Sequence, residues 1–71
     1  MMYVARMISG DEKTIIGVFK TRKNAEDAVY SVLIGNKIFD WRDYKTIADA
    51  LDKNSNKYEI EKVENLILNI D

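Results

Sequence analysis

Three basic side chains, Lys20, Arg22 and Lys23, crowd one short stretch of this 71-residue chain, where a strand-type pattern gives way to a helical one. A helix N-terminus presents unpaired backbone N–H groups and a partial positive charge, so basic side chains beside it make a candidate phosphate or protein-binding site. The same dipole disfavours cations there by roughly 0.3–1 kcal/mol each. Arg22–Glu26 and Lys23–Asp27 stand at i,i+4 spacing, and such pairs return about 0.2–0.5 kcal/mol each. The two effects nearly cancel, so a solvated face is the favoured reading of the cluster.

Phe39, Trp41 and Tyr44 form a second candidate, an aromatic contact surface of the kind found in binding hot spots or stacked on bases. The chain has one Trp and two Phe. A small domain needs their buried area, so a place in the core is expected, with Tyr44 the most exposed of the three. Asp40, Asp43, Asp49 and Asp52 lack the alternating ligands and glycine turn of an oxygen-ligand metal loop. They suit a helix start and its polar face instead. No metal or other cofactor is expected.

The chain contains no cysteine and no histidine. That removes cysteine nucleophiles, Ser-His-Asp triads and His-based zinc sites. A carboxylate-only or lysine mechanism has no positive support, and a non-enzymatic protein is expected. At this length the chain makes one domain, residues 1–71, close to the lower limit for a core without disulfides or metals. The apolar fraction of 46 % suits a folded domain.

The net charge is −1, which argues against a strongly basic nucleic-acid binder. The charge is polarised, however. Residues 1–24 hold five basic against two acidic side chains, a balance of +3, and residues 25–71 hold six against ten, a balance of −4. Such a dipolar chain can steer a partner or pair with its own copy. The first residues do not resemble an export signal, and no apolar run approaches the roughly 18 residues a membrane span needs. A cytoplasmic protein without a membrane partner is expected.

The elements that must position these residues follow from periodicity. Met2 to Ile8 reads as a strand, and Ser9 to Lys13 as a turn with Gly10 free to take positive φ. Thr14 to Lys20 reads as a second strand. Simple alternation places Ile16 with Val18 on one face and Ile15 with Phe19 on the other, with Gly17 between these two. Both faces are then apolar, which predicts that the second is covered by the other helix or by another subunit. Thr21 is the expected N-cap of helix one, whose stripe is Ala25, Ala28, Val29, Val32 and Leu33. Gly35-Asn36 should end it, the glycine taking the left-handed conformation. Helix two is expected from Asp40, as N-cap, to Leu51, with Trp41, Tyr44, Ile47, Ala48 and Leu51 as its stripe. Lys53 to Asn56 is a loop. Lys57 to Ile70 fits a strand, with Tyr58, Ile60, Leu66, Leu68 and Ile70 on one face and a bulge near Lys62 to Asn65. It also fits a helix with Ile60, Val63, Ile67 and Ile70 in a stripe. The strand is preferred because a lone hairpin is marginal in water.

The succession Ile16-Gly17-Val18-Phe19, Thr21 cap, Ala25-Glu-Asp-Ala28 helix and Tyr58-Glu-Ile-Glu-Lys-Val63 strand resembles small phage and bacterial domains built as ββα with a returning strand. Residues 36–56 have no counterpart in it. The resemblance implies a phage-type accessory protein that acts by contact with a host component, in the host cytoplasm. The expected fold is α+β: a small three-stranded antiparallel sheet with two helices, in the order ββααβ. The leading functional expectation is a protein that binds a host protein and modulates or inhibits it. Homo-oligomerisation is compatible with that, and weak nucleic-acid binding through Lys20, Arg22 and Lys23 is the alternative.

Overall fold

The computed structural model describes residues 1–64. Alternating β-type residues in β1 (Met2–Ser9) and β2 (Glu12–Phe19) pair as an antiparallel hairpin, turned through Gly10 at φ 62°. β3 (Tyr58–Val63) pairs antiparallel with the other edge of β1, in a regular register from Met2–Val63 to Met7–Tyr58. The sheet order is β2-β1-β3. β2 and β3 therefore run in the same direction, and such strands need a crossover between them. The crossover holds helices α1 (Arg22–Gly35) and α2 (Ile47–Lys53). The fold is α+β, a three-stranded antiparallel sheet with two helices in the order ββααβ. Leu66, Ile67, Leu68 and Ile70, on which part of the strand-or-helix expectation rested, lie outside the described residues.

The hairpin departs from simple alternation at one point. Tyr3, Val4 and Ala5 face Phe19, Val18 and Gly17, but Arg6 faces Ile15, so Ile16 is an extra residue on β2. An unpaired residue of this kind is a β-bulge, and it exchanges the two faces of the strand beyond it. Ile16 consequently joins Phe19 against the core. Ile15, at 65 % exposure, and Val18, at 42 %, share the opposite face. The expected grouping of Ile16 with Val18 and Ile15 with Phe19 is thus corrected. The bulge lies in β2; β3 is regular as far as its pairing runs, to Val63, and Asn65 of the bulge expected there lies outside the described residues.

One face of the sheet carries the core. Ala5, Ala25, Val29, Leu33 and Leu51 form a single buried cluster, with Tyr3, Met7, Ile16, Phe19, Tyr58 and Ile60 packed around it. Ala25, Val29 and Leu33 recur every four residues, which puts them on one line of α1. Small residues at the contact let the helix approach the strands. Gly17 is open for another reason: a Cβ there would lie 2.9 Å from Phe19 Cζ, so the Phe19 ring occupies the space above it. Both helices contribute to this one cluster, and no described helix covers the opposite face. The expectation that the second helix covers that face is corrected.

On the face opposite the helices, where Val4 is buried, Arg6 Nη1 donates to Glu59 Oε2 at 2.8 Å and to Glu61 Oε1 at 3.0 Å, and Lys13 Nζ donates to Glu59 Oε1 at 2.9 Å. The hydrogen bond from Lys13 holds the Glu59 carboxyl below its usual pKa, with Arg6 adding to the effect. These contacts tie all three strands at one register, because a one-residue slip of β3 would send Glu59 and Glu61 to the core side.

Candidate functional site

Thr21 caps α1 as its sequence position predicts, its hydroxyl accepting from the Asn24 amide at 3.1 Å. Lys20, Arg22 and Lys23 are all exposed around this start. Arg22 Nε lies 3.7 Å from Glu26 Oε2, and Lys23 Nζ donates to Asp27 Oδ2 at 3.2 Å. Two of the three cations are therefore matched by the acids four residues on, and the cluster forms a solvated helix face.

The other end of α1 is built differently. The Ile38 amide donates to the Leu33 carbonyl at 2.9 Å and the Lys37 amide to the Ile34 carbonyl at 2.9 Å. These are the two bonds of a Schellman motif, whose turning residue adopts the left-handed conformation. That residue is Lys37, at φ 58°. Gly35 is instead the last residue of the helix, and Asn36 is its C-cap. The expectation that Gly35 supplies the left-handed turn is corrected. Asn36 also donates from Nδ2 to the Val32 carbonyl at 2.8 Å.

Helix two does not begin at Asp40. Asp40 caps a short 3-10 turn, Trp41–Asp43, by accepting from the Arg42 amide at 2.9 Å. The chain is then extended at Tyr44, with φ −130° and ψ 143°. Thr46 caps α2, accepting from the Asp49 amide at 3.0 Å. Two capping residues six positions apart each start their own element. Tyr44 explains the break: its ring meets Phe39 edge-on at 5.2 Å and 90°, and its hydroxyl accepts from Asn54 Nδ2 at 3.2 Å. Those contacts hold Tyr44 where a continuous helical stripe would not. Phe39 also tilts against Tyr30 at 5.8 Å.

The three aromatics therefore separate. Phe39 and Tyr44 are half-buried against the protein, and Trp41 stands 59 % exposed. Trp41, not Tyr44, is the outward-facing member, which corrects the expected ranking. Phe39 and Trp41 share an open cleft of about 390 Å³ with Ile34, Lys37, Asp40 and Arg42. Arg42 forks onto Asp40, with Nη2 2.7 Å from Oδ2 and Nε 3.1 Å from Oδ1. The Arg42 side chain, with its amide, holds the Asp40 carboxyl down to about 2. The cleft thus combines an apolar floor, a fixed ion pair and the exposed ring of Trp41.

Ile34, Lys37 and Arg42 are members of this site that periodicity did not single out. Asp40-Trp41-Arg42 carried a usable signal, since an aspartate two residues before an arginine can accept from its amide and its side chain together. Lys37 had no such signal, because glycine and asparagine directly before it are the residues expected to turn. The aspartates scatter as well. Asp40 is committed to Arg42, Asp49 lies in the first turn of α2, and among the described residues no acidic group gathers for a metal ion.

Comparison of the chain with protein-family models, with curated proteins and with solved structures finds no match. Among the described residues no helix is long and apolar enough to cross a membrane.

Proposed function

We propose that this chain is a small non-enzymatic interaction protein of the phage accessory type, which binds a host protein and modulates or inhibits it. The observation that carries this reading is Trp41, the sole tryptophan, standing 59 % exposed on the wall of an open cleft. Tryptophan is the residue type most enriched among interface anchors. A domain of this size gains most from its largest apolar side chain by burying it. Leaving it in water, on a turn fixed by the Asp40–Arg42 fork, favours a role in contact over a role in stability.

Nucleic-acid binding through Lys20, Arg22 and Lys23 is less well supported, because the pairs Arg22–Glu26 and Lys23–Asp27 already occupy two of the three cations. Self-association has its own observation in the exposed pair Ile15 and Val18 on the sheet face opposite the helices.

The test is affinity capture from a lysate of the native host with wild-type and Trp41→Ala protein. The expected outcome is one stoichiometric partner retained by the wild type and lost by the variant, with unchanged circular dichroism. Capture of nothing above background, or a partner held equally by both proteins, would sink the proposal.

A further inference from the structure

We infer that the Trp41 cleft takes an acidic peptide segment, with a carboxylate at the Lys37 and Arg42 side and an apolar side chain against Trp41 and Phe39. This rests on the reading of the cleft as a contact surface.

Lys37 carries the argument. It occupies the left-handed position of the Schellman turn, at φ 58°, where glycine sits without steric penalty. Its backbone amide does the capping, so the turn itself has no need of the side chain. An unfavourable backbone conformation kept by a residue that lines a cleft points to use of the side chain. Lys37 adds a positive charge to a cleft whose other charged residues, Asp40 and Arg42, balance one another. The Arg42 fork uses Nε and Nη2, and its Nη1 stands outside the fork. A guanidinium already oriented by one carboxylate is placed to donate to a second. Ile34, Phe39 and Trp41 supply the apolar part of the cleft.

Peptide fits better than nucleic acid. Strand binding needs several cations tracking a phosphate backbone beside the stacking ring. The basic cluster at Lys20, Arg22 and Lys23 lies at the far end of the 14-residue helix α1, about 20 Å away at 1.5 Å per residue.

The experiment selects short random peptides by ribosome display on the intact chain, then titrates the selected peptides while following Trp41 emission. Expected are peptides with Asp or Glu next to an aromatic or aliphatic residue, a blue shift of emission, and binding that weakens with salt. Lys37→Gly keeps the turn and removes the ammonium, and it should bind these peptides roughly tenfold more weakly. Selection of no peptides, peptides without acidic excess, or equal binding by Lys37→Gly overturns the inference. So does a single-stranded oligonucleotide that shifts Trp41 emission with the same dependence on Lys37. A partner whose capture depends on Trp41, together with peptides lacking acidic preference, removes the acidic class and leaves the interaction reading standing. Capture independent of Trp41 removes both.

Discussion

Arg42 and Asp40 close on one another across Trp41: the Arg42 guanidinium forks onto the Asp40 carboxylate at 2.7 Å, and the Arg42 amide reaches the same carboxylate at 2.9 Å. The pair shapes the backbone on either side of Trp41, whose ring is 59 % exposed. Trp41 is thus presented from a hydrogen-bonded turn whose ion pair is itself exposed to solvent.

The clamp is testable by titration. Asp40 loses its proton more readily in the folded chain than in the unfolded one, so the clamp favours the folded state above the ordinary carboxylate pKa. That contribution fades as pH falls from about 4 towards the folded value, which is about 2. The Asp40 carboxyl carbon, followed by NMR, should titrate near the lower value, and Arg42→Ala should return it towards the ordinary one. An Asp40 midpoint near 4 in the wild type would show that the fork does not persist in solution.

Lys37→Gly should make the protein more stable. A non-glycine residue in the left-handed region costs about 1–2 kcal/mol, and Lys37 holds φ 58°. Added backbone freedom in the unfolded chain offsets part of the gain, so a net stabilisation of about 0.5–1 kcal/mol is expected by urea denaturation. A variant less stable than wild type would mean that the Lys37 side chain holds the turn as well as the cleft.

The bulge at Ile16 makes a prediction opposite to that of simple alternation. Ile16 packs against the core and Ile15 is 65 % exposed. Ile16→Asp should therefore be severely destabilising, because it buries an unpaired charge. Ile15→Asp should leave the fold intact, with a change in the range of ordinary surface substitutions. If Ile15 and Val18 also join two copies, light scattering at high concentration should show a dimer in the wild type and a monomer in Ile15→Asp. Equal destabilisation by the two substitutions would refute the bulge.

Gly17 and Phe19 should behave as a coupled pair. A Cβ at Gly17 would stand 2.9 Å from Phe19 Cζ and 3.1 Å from Cε2, so Gly17→Ala must displace the ring. A loss of about 1–2 kcal/mol is expected, as for overpacking elsewhere. In a Phe19→Ala background the same change should be neutral or slightly stabilising. Additive losses in the double-mutant cycle would show that the ring does not lie over Gly17.

The first two strands, the hairpin turn, the Thr21 cap and the stripe of α1 were legible in the chain, because each depends on residues within a few positions of one another, whereas the local pattern of β3 fitted a helix as well. A β-branched run, a threonine before a helical pattern and apolar residues every three to four positions act through local backbone geometry. The i,i+4 pairs of α1 were legible for the same reason. What periodicity left open was decided by strand register, by packing between elements, and by turn hydrogen bonds that residue type alone does not specify. Ile16 turns to the core because register with β1, not its own alternation, sets the faces of β2. Tyr44 breaks the expected second helix because Phe39 and Asn54 engage it. Lys37 takes the turn that glycine seemed made for because two amides beyond α1 reach back to its last carbonyls. Trp41, assigned to the core on composition alone, faces solvent on the turn that its two neighbours close. Composition can say that a small domain needs its aromatics, but only the packed chain determines which of them it uses.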